Sequence, residues 1–274
     1  MRSMNVSLSV DAIAAGAAAA DVVIDIVGET ASTNADLLAR IGQLRQPTLL
    51  VAESQTAGRG RAGRAWLSGA GDSLTFSLAW PLLRPMRELA GLPLAVGVAL
   101  AETLAQLDVP VRLKWPNDLL IGDAKLAGIL IETALEKNGD QQVWAVIGVG
   151  MNLALPPALA QQIGRPAAAL SPALAQDRNH LLGRLLGGLA NALRQFDREG
   201  FAAFKARWNG LHAWRGKTVQ IIDQGRVERE GVATGVDDQG CLLIMTENGM
   251  APVLAGDVSL RMKDEGDVTH AVAG

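Results

Sequence analysis

One cysteine, Cys241, stands among 274 residues. A lone thiol excludes an intramolecular disulfide and any cysteine-rich metal cluster, and it suits a reducing cytoplasm. Net positive charge is missing too: 25 Lys and Arg stand against 28 Asp and Glu, a formal charge of -3. Nucleic-acid binding by the whole surface is therefore disfavoured, and any basic site must be local. Long apolar runs are also lacking, since the stretch from Leu89 to Ala101 is too short to span a membrane and contains Pro93. The alanine-rich start MRSMNVSLSVDAIAAGAAAAD carries a single early Arg, and Asp11 interrupts it, so it does not read as an export signal. No internal repeat is present.

What is there is an ordinary globular composition, 49% hydrophobic and 19% charged. The length allows one large domain and one small one, with a core that needs no metal or disulfide staple. Residues 1–20 read as a weakly structured lead-in. VVIDIV at 22–27 reads as a strand, and Ser32-Thr33-Asn34 precede a helix with Leu37, Leu38, Ile41 and Leu44 on one face. TLLVAE ends at Glu53, and SLTFSLAW alternates as a strand does. A long helix is expected over about 89–107, a short strand at VRLKW, and a hairpin with Gly122-Asp123 at its tip. WAVIGVGMNLAL, 144–155, reads as a buried strand, and the stretch from LLGRLLGGLANALRQF, starting at Leu181, to about Trp208 as helical. Short strands separated by turn signals then predict a small β-barrel over about 212–262.

Between the second and third strands lies AGRGRAGRAW, 57–66. Its glycines spell G-x-G-x-x-G, but a dinucleotide-binding turn leads from a strand into a helix, whose N-terminus holds the pyrophosphate. Here a strand follows, so that reading lacks its structural context. Arg59, Arg61 and Arg64 instead offer guanidinium groups together with exposed backbone N–H groups, a cradle for an anion; a solvated basic loop is the plain alternative. Lys125 opens the apolar strand KLAGILIE, in company with Gly128, Gly148 and Gly150. Glycine weakens strands, so three of them point to a close approach by a ligand or another backbone, or to a bend. Gly148 and Gly150 share a face. KWPND, 114–118, reads either as a rigid connection and no more, or as one whose rigidity holds Asp118 near Lys125 across the hairpin.

STN at 32–34, ESQTAGRGRAGRAW at 53–66, KWPNDLLIGDAKLAGILIE at 114–132 and IGVGMN at 147–152, in this order, resemble the biotin protein ligases. The resemblance covers about 22–262. It implies an α+β fold with a central mixed β-sheet packed with helices, and a small C-terminal SH3-like β-barrel. The divisions are then a segment 1–20, a catalytic domain 21–210, the barrel 211–264 and a tail 265–274. It also implies that Ser32, Thr33, Asn34 and Gln55 contact biotin, with Gly128 and Gly148 beside its ring. Gly58, Arg59, Gly60 and Arg61 would form a mobile loop closing over biotin and the nucleotide phosphates. Lys125 would be the catalytic lysine, with Arg61 assisting and Asp118 orienting the incoming amine. Asn117, Asn152 and Trp66, the last packed on adenine, would contact the nucleotide. The loop departs from the commoner GRGRRGR at Ala62, which lacks a fourth charge.

The implied chemistry explains these residue types. A biotin carboxylate must attack the α-phosphate of ATP, and two unit charges about 4 Å apart repel by about 4 kcal/mol at an effective dielectric of 20. Lys125, Arg59, Arg61 and a Mg²⁺ ion held mainly by the phosphates, with no ligand set of the protein's own, offset that repulsion. The expected product, biotinyl-5′-AMP, would then pass biotin to a lysine of a biotin carboxyl carrier protein domain. About 21 residues precede the first strand, too few for a DNA-binding domain of about 50, so neither DNA nor a membrane is an expected partner. A monomer and an edge-to-edge homodimer both stay open. The rival readings are a lipoate or octanoate protein ligase and an RNA-binding protein whose arginine loop grips phosphates.

Overall fold

The computed structural model describes residues 7–17, 21–136, 142–223, 225–256 and 258–262. The tail 265–274 and parts of the first twenty residues lie outside these. Seven strands form the main sheet: β1 Val23–Thr30, β2 Thr48–Gln55, β3 Ser73–Leu82, β4 Arg112–Lys114, β5 Asp118–Ile121, β6 Ala124–Leu135 and β7 Val143–Asn152. Their spatial order is β1-β2-β3-β7-β6-β5-β4. β1 and β2 run parallel, because helix α2, Thr33–Arg40, crosses between them, and the other neighbours are antiparallel.

Alternation along the strands sorts residues to two faces. In β7, Ala145, Ile147, Val149 and Met151 enter the main core, whereas Trp144 and Val146 join a smaller cluster with Leu37 and Ile41 beneath α2. Gly148, beside Asn34 in the first turn of α2, and Gly150 beyond it continue that second face past the start of the helix. There the sheet is left open, and this opening becomes the site. The main core is closed by α3 Leu92–Ala105, α6 Arg178–Glu199 and α7 Ala202–Leu211. Two short helices, α4 Pro157–Ile163 and α5 Pro172–Gln176, lie between β7 and α6.

Two expectations change. The lead-in contains a helix, α1 Val10–Gly16, capped by Ser9 and packed on α6 through the fully buried Ile13. Gly16 and Gly183 make that packing close: a Cβ on Gly183 would lie 2.5 Å from the Ile13 carbonyl oxygen. The expected continuous helix to Trp208 is broken at Gly200, whose φ of 69° stops α6 before α7 begins. The C-terminal strands, β8 Thr218–Asp223, β9 Arg226–Val236, β10 Leu242–Thr246, β11 Gly249–Val253 and β12 Ser259–Met262, form one five-stranded antiparallel sheet in the order β11-β10-β9-β8-β12, in keeping with the small SH3-like C-terminal unit expected. Trp115 Nε1 donates to the Gly240 carbonyl at 3.1 Å, tying this sheet to the KWPND turn.

Candidate active site

The open part of the sheet is the floor of a cavity of about 530 Å³, a size suited to a small-molecule ligand. Register lines up Thr75, Gly150, Gly128 and Asp118 across four strands, with Ser77, Gly148 and Leu130 in the next row on the same face. Each glycine makes room for a side chain of the protein itself. A Cβ on Gly148 would lie 2.4 Å from Asn34 Oδ1, one on Gly150 2.3 Å from Trp66 Cε2, and one on Gly128 2.9 Å from Lys125 Nζ. The flat ring on the glycine face is therefore the Trp66 indole, and Gly148 lies against the Asn34 amide.

At one end of the floor, α2 delivers Ser32, Thr33 and Asn34, all buried. Ser32 is the N-cap, its side chain accepting from Ala35 N. The Thr33 N–H donates to Gln55 Oε1 at 2.8 Å, and the Thr33 hydroxyl lies 2.7 Å from Ser77 Oγ. Ser77 Oγ donates to Asn34 Oδ1 at 2.6 Å, while Asn34 Nδ2 donates to Glu132 Oε2 at 2.9 Å and to the Leu130 carbonyl at 3.3 Å. Asn34 is thus held on three sides.

At the other end, Lys125 Nζ is paired with Asp118 Oδ1, and Lys114 Nζ lies 4.0 Å from Asp118 Oδ2. Burial lowers the Lys125 pKa, and the adjacent Asp118 opposes the shift. Lys114 is lowered to about 8, first by burial and then by Lys125, Arg165 and Arg64, against the pull of Asp118. Its ammonium sits 4.5 Å from the Trp214 ring centroid. Trp66 covers the middle of the floor, its ring centroid 5.8 Å from Lys125 Nζ. Trp66 Nε1 is buried against Gly150 without a hydrogen-bond partner among the described residues.

The arginine loop arches over the floor as a compact turn. Gly60 N donates to the Arg64 carbonyl at 2.7 Å and Trp66 N to the Gly58 carbonyl at 2.9 Å, with Ala62 in the left-handed region at φ 52°. Arg59 Nη2 donates to both carboxylate oxygens of Glu132, at 2.8 Å to Oε2 and 3.1 Å to Oε1. Arg61 donates to Asn117 Oδ1 at 3.3 Å and to the Gly256 carbonyl; Arg64 donates to Ser259 Oγ at 3.3 Å. Asn117 in turn donates to the Ile129 carbonyl at 2.7 Å. The loop accordingly bridges the main sheet and the C-terminal sheet.

Of the residues anticipated from sequence, Ser32, Thr33, Asn34, Gln55, Arg59, Gly60, Arg61, Trp66, Asn117, Asp118, Lys125, Gly128 and Gly148 line this cavity. Two do not. Gly58 lines a shallower recess on the other side of the loop. Asn152 is buried beneath the strand end, its amide donating to the carbonyls of Lys125 and Ala168 at 3.3 and 2.9 Å, so it braces the lysine backbone instead of facing the cavity. Sequence reasoning missed Ser77, Glu132 and Arg165. For Ser77 and Glu132 the available signal was a polar residue on the second face of an otherwise apolar strand. Among the described residues there is no group of three or more His, Cys, Asp or Glu able to hold a metal ion. With Asp118 paired to Lys125, the donor set is suited to anions, and a divalent cation would have to enter on a phosphate ligand.

Residues 26–152 match the Biotin/lipoate A/B protein ligase family, and residues 216–261 the Biotin protein ligase C terminal domain. The bifunctional ligase/repressor BirA of Salmonella typhimurium is 40% identical over 232 residues, covering 84% of this chain and 72% of that protein. The biotin--[acetyl-CoA-carboxylase] ligase of Mycobacterium tuberculosis is 36% identical over 244 residues, 86% of this chain and 88% of the relative. The solved biotin protein ligase from Aquifex aeolicus in complex with biotin and ATP is 31% identical with a TM-score of 0.73, covering 88% of this chain and 99% of that one. The chain belongs to the biotin protein ligase family.

Proposed function

We propose that this protein activates biotin with ATP, forming biotinyl-5′-AMP and releasing pyrophosphate, and then transfers biotin to a lysine of a carboxylase biotin carrier domain. The observation that supports this best is the paired amine of Lys125, held by Asp118 at the edge of a glycine floor that ends in the Ser32–Asn34 polar pocket. The polar pocket suits a small uncharged ring with hydrogen-bonding groups, and the cationic end suits a carboxylate meeting a phosphate.

In the first step the biotin carboxylate oxygen attacks the α-phosphorus, and the bond to the bridging oxygen of pyrophosphate breaks. Lys125 and Arg61 offset the charge concentrated there, which is worth most in a cavity that excludes water. Asp118 keeps the buried Lys125 protonated, since an adjacent carboxylate favours the ammonium. Trp66 and Asn117 form the nucleotide side of the site. In the second step the carrier amine attacks the acyl carbon, and AMP leaves. Asp118 orients that amine, and the loop carrying Arg59 and Arg61 shields the mixed anhydride from water. Mg²⁺ would be held by the ATP phosphates and would supply further positive charge to offset theirs. The reading places the reaction in the cytoplasm, in keeping with the single buried thiol of Cys241.

Thermal unfolding tests the choice of acid, because a ligand that binds the folded state raises Tm. With ATP present, biotin raises Tm and lipoate leaves it unchanged. Stabilisation by lipoate alone would move the assignment to the lipoate branch of the family.

A further inference from the structure

The cavity carries a cation that the reaction described above does not use. Arg165 lies on the connection between α4 and α5 and lines the cavity on the Lys125 side. Its position is fixed by local chemistry. Gly164 caps α4 at φ 63°, and Pro166 restricts the residue before it to an extended backbone. The chain beyond is then stitched to the start of β6: Lys125 N donates to the Pro166 carbonyl at 3.1 Å, and Ala168 N donates to the Lys125 carbonyl at 2.9 Å. Asn152 braces both sides of this seam through its side-chain amide. Arg165 is therefore held beside the reacting lysine by the lysine's own backbone.

Its surroundings are cationic. Arg165 forms no salt bridge among the described residues, and its charge is one of those that depress the two neighbouring amines, Lys114 and Lys125. Asp118, the carboxylate between those amines, is already shared by them, and Asp123 is the other carboxylate among the described residues lining the cavity. With Arg64, Lys114, Lys125 and Arg165 lining one cavity against Asp118 and Asp123, the balance is positive, and a polyanion would neutralise it. Lys125 serves the reacting phosphate from inside the cavity. Arg165 lines the same cavity but is exposed, so it is free to meet phosphates beyond the reacting one.

We propose that Arg165 is a further substrate-binding residue that grips the β- and γ-phosphates of ATP and then the departing pyrophosphate. The inference rests on the ligase reading, and it separates the two half-reactions, since biotinyl-5′-AMP lacks those phosphates. In an assay of biotin-dependent pyrophosphate release, Arg165→Ala should raise the KM for ATP and weaken product inhibition by inorganic pyrophosphate, each by about tenfold, as for a lost charge-assisted bond. Arg165→Lys should recover part of the loss. Biotin transfer from preformed biotinyl-5′-AMP to a carrier domain should be unchanged. An unaltered KM for ATP and unaltered pyrophosphate inhibition in Arg165→Ala would overturn the proposal while leaving the ligase reading intact. An equal loss in transfer from preformed adenylate would also overturn it. Absence of biotin-dependent pyrophosphate release in the unaltered protein would overturn the ligase reading, and this proposal with it.

Discussion

Gly148→Ala is the sharpest test of how the floor is built. The added Cβ would lie 2.4 Å from Asn34 Oδ1, 3.0 Å from Asn34 Cγ and 3.2 Å from Asn34 Nδ2, so the whole amide must retreat. It has nowhere to go without cost, because Ser77, Glu132 and Leu130 hold it in place and Asn34 is 4% exposed. Overpacking alone costs about 1–3 kcal/mol. Each hydrogen bond lost adds about 1 kcal/mol, and the strand carrying Gly148 cannot yield because it pairs on both sides. We expect a loss of about 2–4 kcal/mol in urea unfolding, together with weaker biotin binding by calorimetry. Removing the obstructing amide in the double variant Gly148→Ala with Asn34→Ala should return at least about 1 kcal/mol, a favourable coupling between touching residues. A single variant within about 0.5 kcal/mol of the parent, or a double variant in which the two losses simply add, would refute the assigned packing.

Other expectations follow from the charges. Lys125→Ala should abolish most adenylate formation, and Lys125→Arg should not restore it, because a planar fork replaces a compact ammonium beside Asp118; normal pyrophosphate release by either would contradict this. Lys114 has a pKa near 8, and a bound phosphate favours its charged form, so ATP affinity should be full below about pH 8 and fall above it. Replacement by arginine should flatten that profile in titrations from pH 7 to 9.5. His212 is fully buried against Trp208, both ring nitrogens without hydrogen-bond partners among the described residues, and burial with nearby Arg215 and Arg112 lowers its pKa from 6.5 to about 4. Its folded pKa lies below the unfolded value, so its contribution is fully present above pH 6.5 and lost as pH falls towards 4. That loss reaches about 3 kcal/mol at 1.36 kcal/mol per unit, and His212→Phe should remove this part of the slope in denaturation curves measured between pH 7 and 4.

Much of the site was legible in the sequence because its chemistry is carried by short local patterns. The KWPND turn and the hairpin after it bring Asp118 to Lys125 within a few residues of chain, and strand alternation puts Gly148 and Gly150 on one face. What fills the glycine face was not legible, since the Trp66 indole and the Asn34 amide reach it from elements distant in sequence. Asn152 shows the same limit: its motif suggested a ligand contact, but pairing with the Ala168 segment turns its amide into a backbone brace. Helix α1 was hidden by an alanine-rich composition, and only its packing on α6 shows why Ile13 is placed where it is. In the C-terminal sheet the strands were readable from turn signals, whereas their order depends on pairings such as that of β12 with β8, which no local pattern encodes.

The central claim is tested most directly by incubating the protein with ATP, Mg²⁺ and a biotin carrier domain, and measuring the carrier's mass. The account predicts a biotinyl adduct on one carrier lysine, formed with biotin but not with lipoate, and abolished in Lys125→Ala. An unmodified carrier, or one modified only when lipoate replaces biotin, would contradict it.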